Sequence, residues 1–395
     1  MLLNSLSAGL LSLLLATPSS AVLLWATSYN DHTVTSLNLK GRELKTVAKS
    51  TDCGSEPTWL TLNKGQSVLY CLNEGWGGAS SITSYRTLAD GTLETLDILP
   101  VLKSPVSSTL YGPNKSGLAV AHYDTSTFST FSVGDVTELA LAQNETYTLA
   151  KPGPVPDRQS APHLHDAVLD PTGKFILAPD LGADLVRVYA AEPGSIEWTE
   201  RDPVKAVPGS GPRHGAFAVA GRNTFFYTLN ELSNTITGYR VTYKAGSALE
   251  FVRIFDVSSH GAGGSVPKGT SAAEIEVSPD QRFVLISSRF ENSLTIPNFD
   301  KTNSTRLPSD PIVSFKIDQR SGALALVQEA PAGGRNPRGF SLNRAGTLVA
   351  SALQDDNRVV VIERDVGTGK LGKIVAWATV GEGAGNGPNY VLFNE

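Results

Sequence analysis

His165, Arg213, Glu231 and Arg289 combine two guanidinium groups with an imidazole and a carboxylate, a set suited to an anionic or oxygen-rich small molecule. A guanidinium offers paired donors to a carboxylate or a developing oxyanion. Imidazole and carboxylate move protons near neutral pH. Elsewhere His163, His214 and Arg338 stand at the openings of short apolar runs, and Glu74, Asp180 and Gln354 stand at the ends of others. No serine sits in a G-x-S-x-G turn, and neither Cys53 nor Cys71 has the surroundings of a nucleophile. Attack by water, or by the substrate's own carboxylate, fits better than a covalent enzyme intermediate.

Structural roles compete for the same residues. His163-x-His165 puts two imidazoles on one face of an extended strand, as two metal ligands would lie, but no Asp/Glu/His cluster of ligand spacing accompanies them. Neither a metal nor another cofactor is expected. Arg213 and Arg338 can pair with acidic neighbours that hold sheets together, and His214 reads as structural. Asp180, Asp184 and Arg187 read as an ionic contact between neighbouring units. The glycines at 261–264 and 381–387 lack a strand-to-helix context and read as loops.

Residues so far apart need a fold that gathers them, and self-similarity supplies one. A pattern recurs: a polar or Pro-containing lead-in, a short apolar strand, a turn with Gly or Asp, a second strand, a polar loop and a third strand. Clear copies span 163–189, 213–239, 274–296 and 338–362, with weaker ones at 57–85 and 106–131. The stretch 22–37 makes a seventh that lacks only its opening strand. At the other end, G-P-N-Y-V-L-F-N (387–394) looks like an opening strand with nothing after it. A ring whose last segment completes its first unit explains both ends and leaves no open sheet edge. The expected fold is all-β, one seven-bladed β-propeller over 22–395, closed by pairing of the C-terminal strand with the N-terminal blade. Composition agrees, since 37 Gly, 23 Pro and only 18% charged residues favour strands and turns over helices.

In a propeller blade the innermost strand starts at one face and the second strand returns to it. First-strand openings and second-strand ends therefore share one channel mouth. That rule gathers His163, His165, Arg213, His214 and Arg338 with Glu74, Asp180, Glu231, Arg289 and Gln354 around one substrate site. The segments P-H-L-H-D-A-V-L-D-P-T-G-K-F-I-L-A-P-D-L-G-A-D-L-V-R-V-Y (162–189), G-P-R-H (211–214), L-N-E-L (229–232), S-S-R (287–289) and N-P-R-G-F (336–340) resemble the seven-bladed lactonase family. That family includes bacterial 6-phosphogluconolactonase and the fungal carboxymuconate-lactonizing enzymes. The resemblance runs over nearly all of the chain after residue 21, is strongest from 162 to 365, and keeps the family's motif order. It implies a metal-independent site of a histidine, an arginine, a glutamate and a second arginine, here His165, Arg213, Glu231 and Arg289. It also implies a small-molecule lactone or carboxylate as substrate.

A net charge of −5 supplies no basic field for nucleic acid or an anionic membrane. Residues 1–21 read as a secretory leader, with a Leu-rich core too short to span a bilayer and a small-residue ending. Sequons at Asn114, Asn144 and Asn303 agree with export and glycosylation, and in an oxidising compartment Cys53 and Cys71 read as a disulfide. An exported enzyme meets free aldonolactones more readily than phosphorylated metabolites, so the expected function is extracellular hydrolysis of a sugar lactone. Carboxymuconate cyclisation and non-catalytic binding are the alternatives, because a fold by itself specifies no activity.

Overall fold

The computed structural model describes residues 21–244 and 248–395, which form seven four-stranded antiparallel sheets and one additional two-stranded hairpin. The leader expected at 1–21 lies, but for its last residue, outside the described residues. From the channel outward, blade 1 runs Pro388–Phe393, Val22–Ser28, Thr33–Lys40 and Glu43–Ser50. The chain's last strand thus lies innermost in its first blade, with Thr27 opposite Tyr390 and Leu24 opposite Phe393. Blades 2 to 7 follow in order, opening at Pro57, Pro105, Val168, Pro212, Ser271 and Pro337.

Second strands such as Val68–Asn73, Phe175–Asp180 and Phe283–Arg289 are buried at every residue, because a neighbouring blade covers each face. Outer strands such as Ala140–Thr146 are almost wholly exposed and carry polar residues. Asp170 shows how the first turn of a blade is made: its carboxylate accepts the backbone N–H groups of Thr172, Lys174 and Phe175.

The apolar core divides into seven clusters, and each joins two adjacent blades. One of them packs Leu24, Val391 and Phe393 of blade 1 against Ala350, Val359 and Val361 of blade 7. Every blade therefore buries both faces, and the first packs on the last through an apolar cluster as the other neighbouring pairs do. Cys53 and Cys71 form a disulfide that ties the connection from blade 1 to the second strand of blade 2.

Two expectations are corrected. In blade 6 the segment at 294–296 is not the third strand: Leu294–Pro297 pairs with Arg306–Ser309 in the extra hairpin, and Pro311–Ile317 takes its place in the blade. The hairpin has the same two-residue alternation as a blade strand, so periodicity cannot separate them. Asp180 pairs with Arg187 inside blade 4 at 2.9 Å, while Asp184 accepts the N–H groups of Gly209 and Gly211. The contact between blades is instead the Arg187 guanidinium over the Tyr147 ring, 3.4 Å from its centroid.

Candidate active site

The inner strand of every blade carries an irregularity at the same end. In blade 5, Pro212 lies opposite Asn230 and His214 opposite Leu229, so Arg213 is an extra residue bulged out of the ladder. Equivalent shifts fall at Thr58, Val106, Arg338 and Asn389, and across Ala273 and Glu274 in blade 6. In blade 4 the bridge of Leu164 to Asp180 and the pairing of Val168 with Leu177 enclose the irregular stretch that holds His165. A bulge re-aims the side chain it displaces. The outcome is one residue from each blade, Asn389, Thr58, Val106, His165, Arg213, Glu274 and Arg338, lining a narrow inner recess. In five blades the bulged residue follows a proline, which suits the start of a strand because it has no N–H to donate to the ladder.

Above this recess a cavity of about 560 Å³ opens outward, lined by His165, Glu231, Arg289, Arg338 and Glu74 among others. Glu231 and Glu74 come immediately after second strands, and Arg289 is the last residue of one. Glu231 is the hub. Its carboxylate lies 2.9 Å from Nε of Arg213, 2.8 Å from Nη2 of Arg158 and 3.5 Å from Nη2 of Arg289. Burial by itself raises the Glu231 carboxyl, but Arg289, Arg213 and Arg158 outweigh it and hold the group down at about 2. The arginines are aimed by backbone as well: Arg213 donates to the carbonyl of Ala273, and Arg289 to the carbonyl and hydroxyl of Ser271.

His165 is buried beside this cluster. Its Nδ1 lies 3.2 Å from Nε2 of His214, whose Nδ1 lies 2.8 Å from Oε1 of Glu274. Burial, followed by the charges of Arg213, His214 and Arg338, holds the His165 imidazole well below the usual histidine range, so it is neutral. Burial likewise brings His214 down to about 3 and pushes Glu274 up to about 8. On the opposite wall Glu74 accepts hydrogen bonds from the Tyr29 hydroxyl and from Nε1 of Trp76, and Arg338 stands 3.8 Å away.

Of the residues expected at the mouth, His165, Glu231, Arg289, Arg338 and Glu74 line the cavity, and Arg213 and His214 line the recess beneath it. His163, Asp180 and Gln354 line neither. His163 stacks on Tyr123 at 4.1 Å and its Nδ1 faces the Tyr123 carbonyl. Asp180 accepts the backbone N–H of His163 and anchors that segment from below. Gln354 is tied to Asn336 and Asn386. Being near the right end of a strand places a residue at the mouth, but its side chain can still point into the blade.

Strand counting also missed participants. Arg158 comes from the connection between blades 3 and 4, whose buried Gln159 is anchored to the Leu181 carbonyl. Glu274 lies at the same end of the inner strand of blade 6, three residues after its start at Ser271, and falls under the same counting rule, which makes it the most legible of the missed residues. Trp76 and Phe290, each 48% exposed, stand at the rim. Phe290 has φ +68°, unusual for a bulky residue, and the buried Asp310 carboxylate holds this conformation by accepting the N–H groups of Phe290, Glu291 and Asn292.

The chain is similar to known proteins. A protein of Arthroderma benhamiae named "Probable 6-phosphogluconolactonase" is 31% identical over 85% of this chain and 80% of its own length. The 6-phosphogluconolactonase of Bacillus subtilis is 27% identical over 80% of this chain and 82% of its own. Among solved structures, the periplasmic gluconolactonase of Pseudomonas aeruginosa superposes with a TM-score of 0.77 at 26% identity, covering 95% of this chain and 99% of that one. Residues 23–391 match the family described as "Lactonase, 7-bladed beta-propeller", and the chain belongs to that family.

Proposed function

We propose that this protein is an exported lactonase that hydrolyses an unphosphorylated sugar lactone. The observation that carries this reading is a neutral imidazole, His165, set beside a carboxylate held among three guanidinium groups, two lining the cavity and one in the recess beneath it. Water attacks the lactone carbonyl while Nε2 of His165 takes its proton, and the new charge on the carbonyl oxygen is met by Arg213 and Arg289. The ring C–O bond then breaks, and the same proton passes from His165 to the departing oxygen, which becomes the hydroxyl of the open hydroxy acid. Glu231 orders the arginines, and its carboxylate oxygens are engaged by Arg158, Arg213 and Arg289 rather than free to face the attacking water.

The charge balance favours a neutral substrate. Glu74, Asp124 and Glu231 oppose Arg158, Arg289 and Arg338 around the cavity, with Arg213 beneath. Glu274, in the same recess, is raised to about 8 and adds no charge at neutral pH, so one surplus cation remains, which matches a charge that appears in the transition state better than a phosphate dianion in the ground state. The Cys53–Cys71 disulfide and the exposed Asn114, Asn144 and Asn303 support export.

Glucono-δ-lactone, its 6-phosphate and carboxymuconate are to be assayed side by side. Turnover highest on the unphosphorylated lactone is expected, with Arg213→Met, Arg289→Met and His165→Asn each about a hundredfold slower or more. Carboxymuconate cyclisation without lactone hydrolysis would replace the reaction while keeping the site. Inactivity on all three would favour a binding protein.

A further inference from the structure

The three bonds beneath the cavity have a direction. Oε1 of Glu274 accepts the backbone N–H of Ile275 at 3.0 Å. The same oxygen faces Nδ1 of His214 at 2.8 Å. Burial raises the Glu274 carboxyl to about 8, so at neutral pH it carries a proton; the oxygen that accepts from the amide is the carbonyl oxygen of that acid, and it accepts again, which makes Nδ1 of His214 a donor. A neutral imidazole with N–H at Nδ1 has only a lone pair at Nε2, so His214 must accept there. Its partner at 3.2 Å, Nδ1 of His165, must then be the donor. Nε2 of His165 is left as a lone pair, and that nitrogen has no protein partner among the described residues.

We propose that Glu274 and His214 are positioning residues that hold His165 in the Nδ1–H tautomer and so make its Nε2 a proton acceptor toward the cavity. This rests on the reading of His165 as the base. The backbone sets the polarity, since Ile275 N–H fixes which way the first bond runs and the two imidazoles transmit it. Attack by water then leaves His165 as an imidazolium with Nδ1–H still held by His214, and Nε2 returns its proton to the departing ring oxygen. The relay itself keeps its protons throughout.

The surroundings favour this arrangement. His214 packs against Trp59 in a T-shaped contact with ring centroids 5.6 Å apart, and Arg213, Asp166, Arg338 and Glu231 are charged groups around it. Asp166 is fixed separately, by the Ser107 hydroxyl and by the N–H of Gly215. It therefore does not compete for His214. His214 is buried and lines only the recess, so water has little access to the bond between the two imidazoles.

The test reads the tautomer directly and needs no substrate. In ¹⁵N-histidine-labelled protein, the His165 resonances are assigned by their loss in His165→Asn. The expected result at pH 7 is a protonated Nδ1 and an unprotonated Nε2. Glu274→Leu and His214→Phe should shift the population toward Nε2–H and lower kcat about a hundredfold or more with KM changed only a few-fold. Glu274→Gln can present its amide oxygen to both donors, and should recover kcat to within about tenfold of the parent. A resident Nε2–H in the parent, or Glu274→Leu at parental kcat, overturns the relay while a dead His165→Asn leaves the base assignment standing. An active His165→Asn overturns the base assignment instead, and the catalytic role of the relay with it.

Discussion

Nη2 of Arg158, carried by the connection between blades 3 and 4, lies 2.8 Å from the Glu231 carboxylate at the end of a strand in blade 5. A residue outside the repeating framework thus completes the charge cluster. Its side chain is 42% exposed, whereas Arg213 and Arg289 are buried.

Arg158→Ala should therefore act on binding more than on folding. Glu231 keeps two buried arginines, and a partly exposed pair is worth about 1 kcal/mol or less. KM should rise several-fold to about tenfold with kcat little changed and with Tm within about 2 °C of the parent. A large fall in kcat at constant KM would make Arg158 a transition-state contact.

Glu231 predicts a component of acid sensitivity. Its folded pKa of about 2 lies below the ordinary carboxyl value of 4.5. The stabilisation is therefore present above pH 4.5 and is lost as pH falls through the folded value. The shift corresponds to on the order of 3 kcal/mol, so Glu231→Gln should flatten the decline in stability between pH 5 and 2. Denaturant midpoints at stepped pH would show it, and parallel declines in the two proteins would refute it.

Deletion of 388–395 should cripple the whole ring. It removes the inner strand of blade 1 and strips Val391 and Phe393 from the cluster between blades 1 and 7. Loss of one buried Phe alone costs about 3–5 kcal/mol. The expected product is insoluble or melts more than about 10 °C lower; a truncated protein with parental Tm would contradict closure by this strand.

The disulfide closes a segment with a sequence separation of 18. Chain-entropy reasoning gives such a loop about 3 kcal/mol. Cys53→Ala with Cys71→Ala should lower Tm by several degrees and leave kcat unchanged, because neither residue lines the cavity. A fall in activity at temperatures where the variant stays folded would show that the bridge reaches the site.

The framework was legible because each blade repeats a local pattern that survives in one dimension. Pro57, Pro105, Pro212, Pro337 and Pro388 each open an inner strand, and the residue after each one is bulged into the recess. A proline before each of Thr58, Val106, Arg213, Arg338 and Asn389 is therefore a sequence signal for the bulged set. The misplaced third strand of blade 6 was not legible, because Leu294–Pro297 and Pro311–Ile317 are both short extended segments and only pairing tells them apart.

What the sequence determined by itself is the repeat, the closing of its two ends, and the set of ionisable residues that strand direction delivers to one mouth. Only the tertiary structure decided which of these face the cavity, turning His163, Asp180 and Gln354 into the blades while bringing in Arg158 and Glu274. It also set the charge states of His165 and Glu231, holding the imidazole neutral and the carboxylate ionised. The physical reason is that strand alternation and turn chemistry are local and can be counted along a chain. Protonation state depends instead on burial and on charges arriving from other blades, and on Glu231 three arginines from three different segments converge.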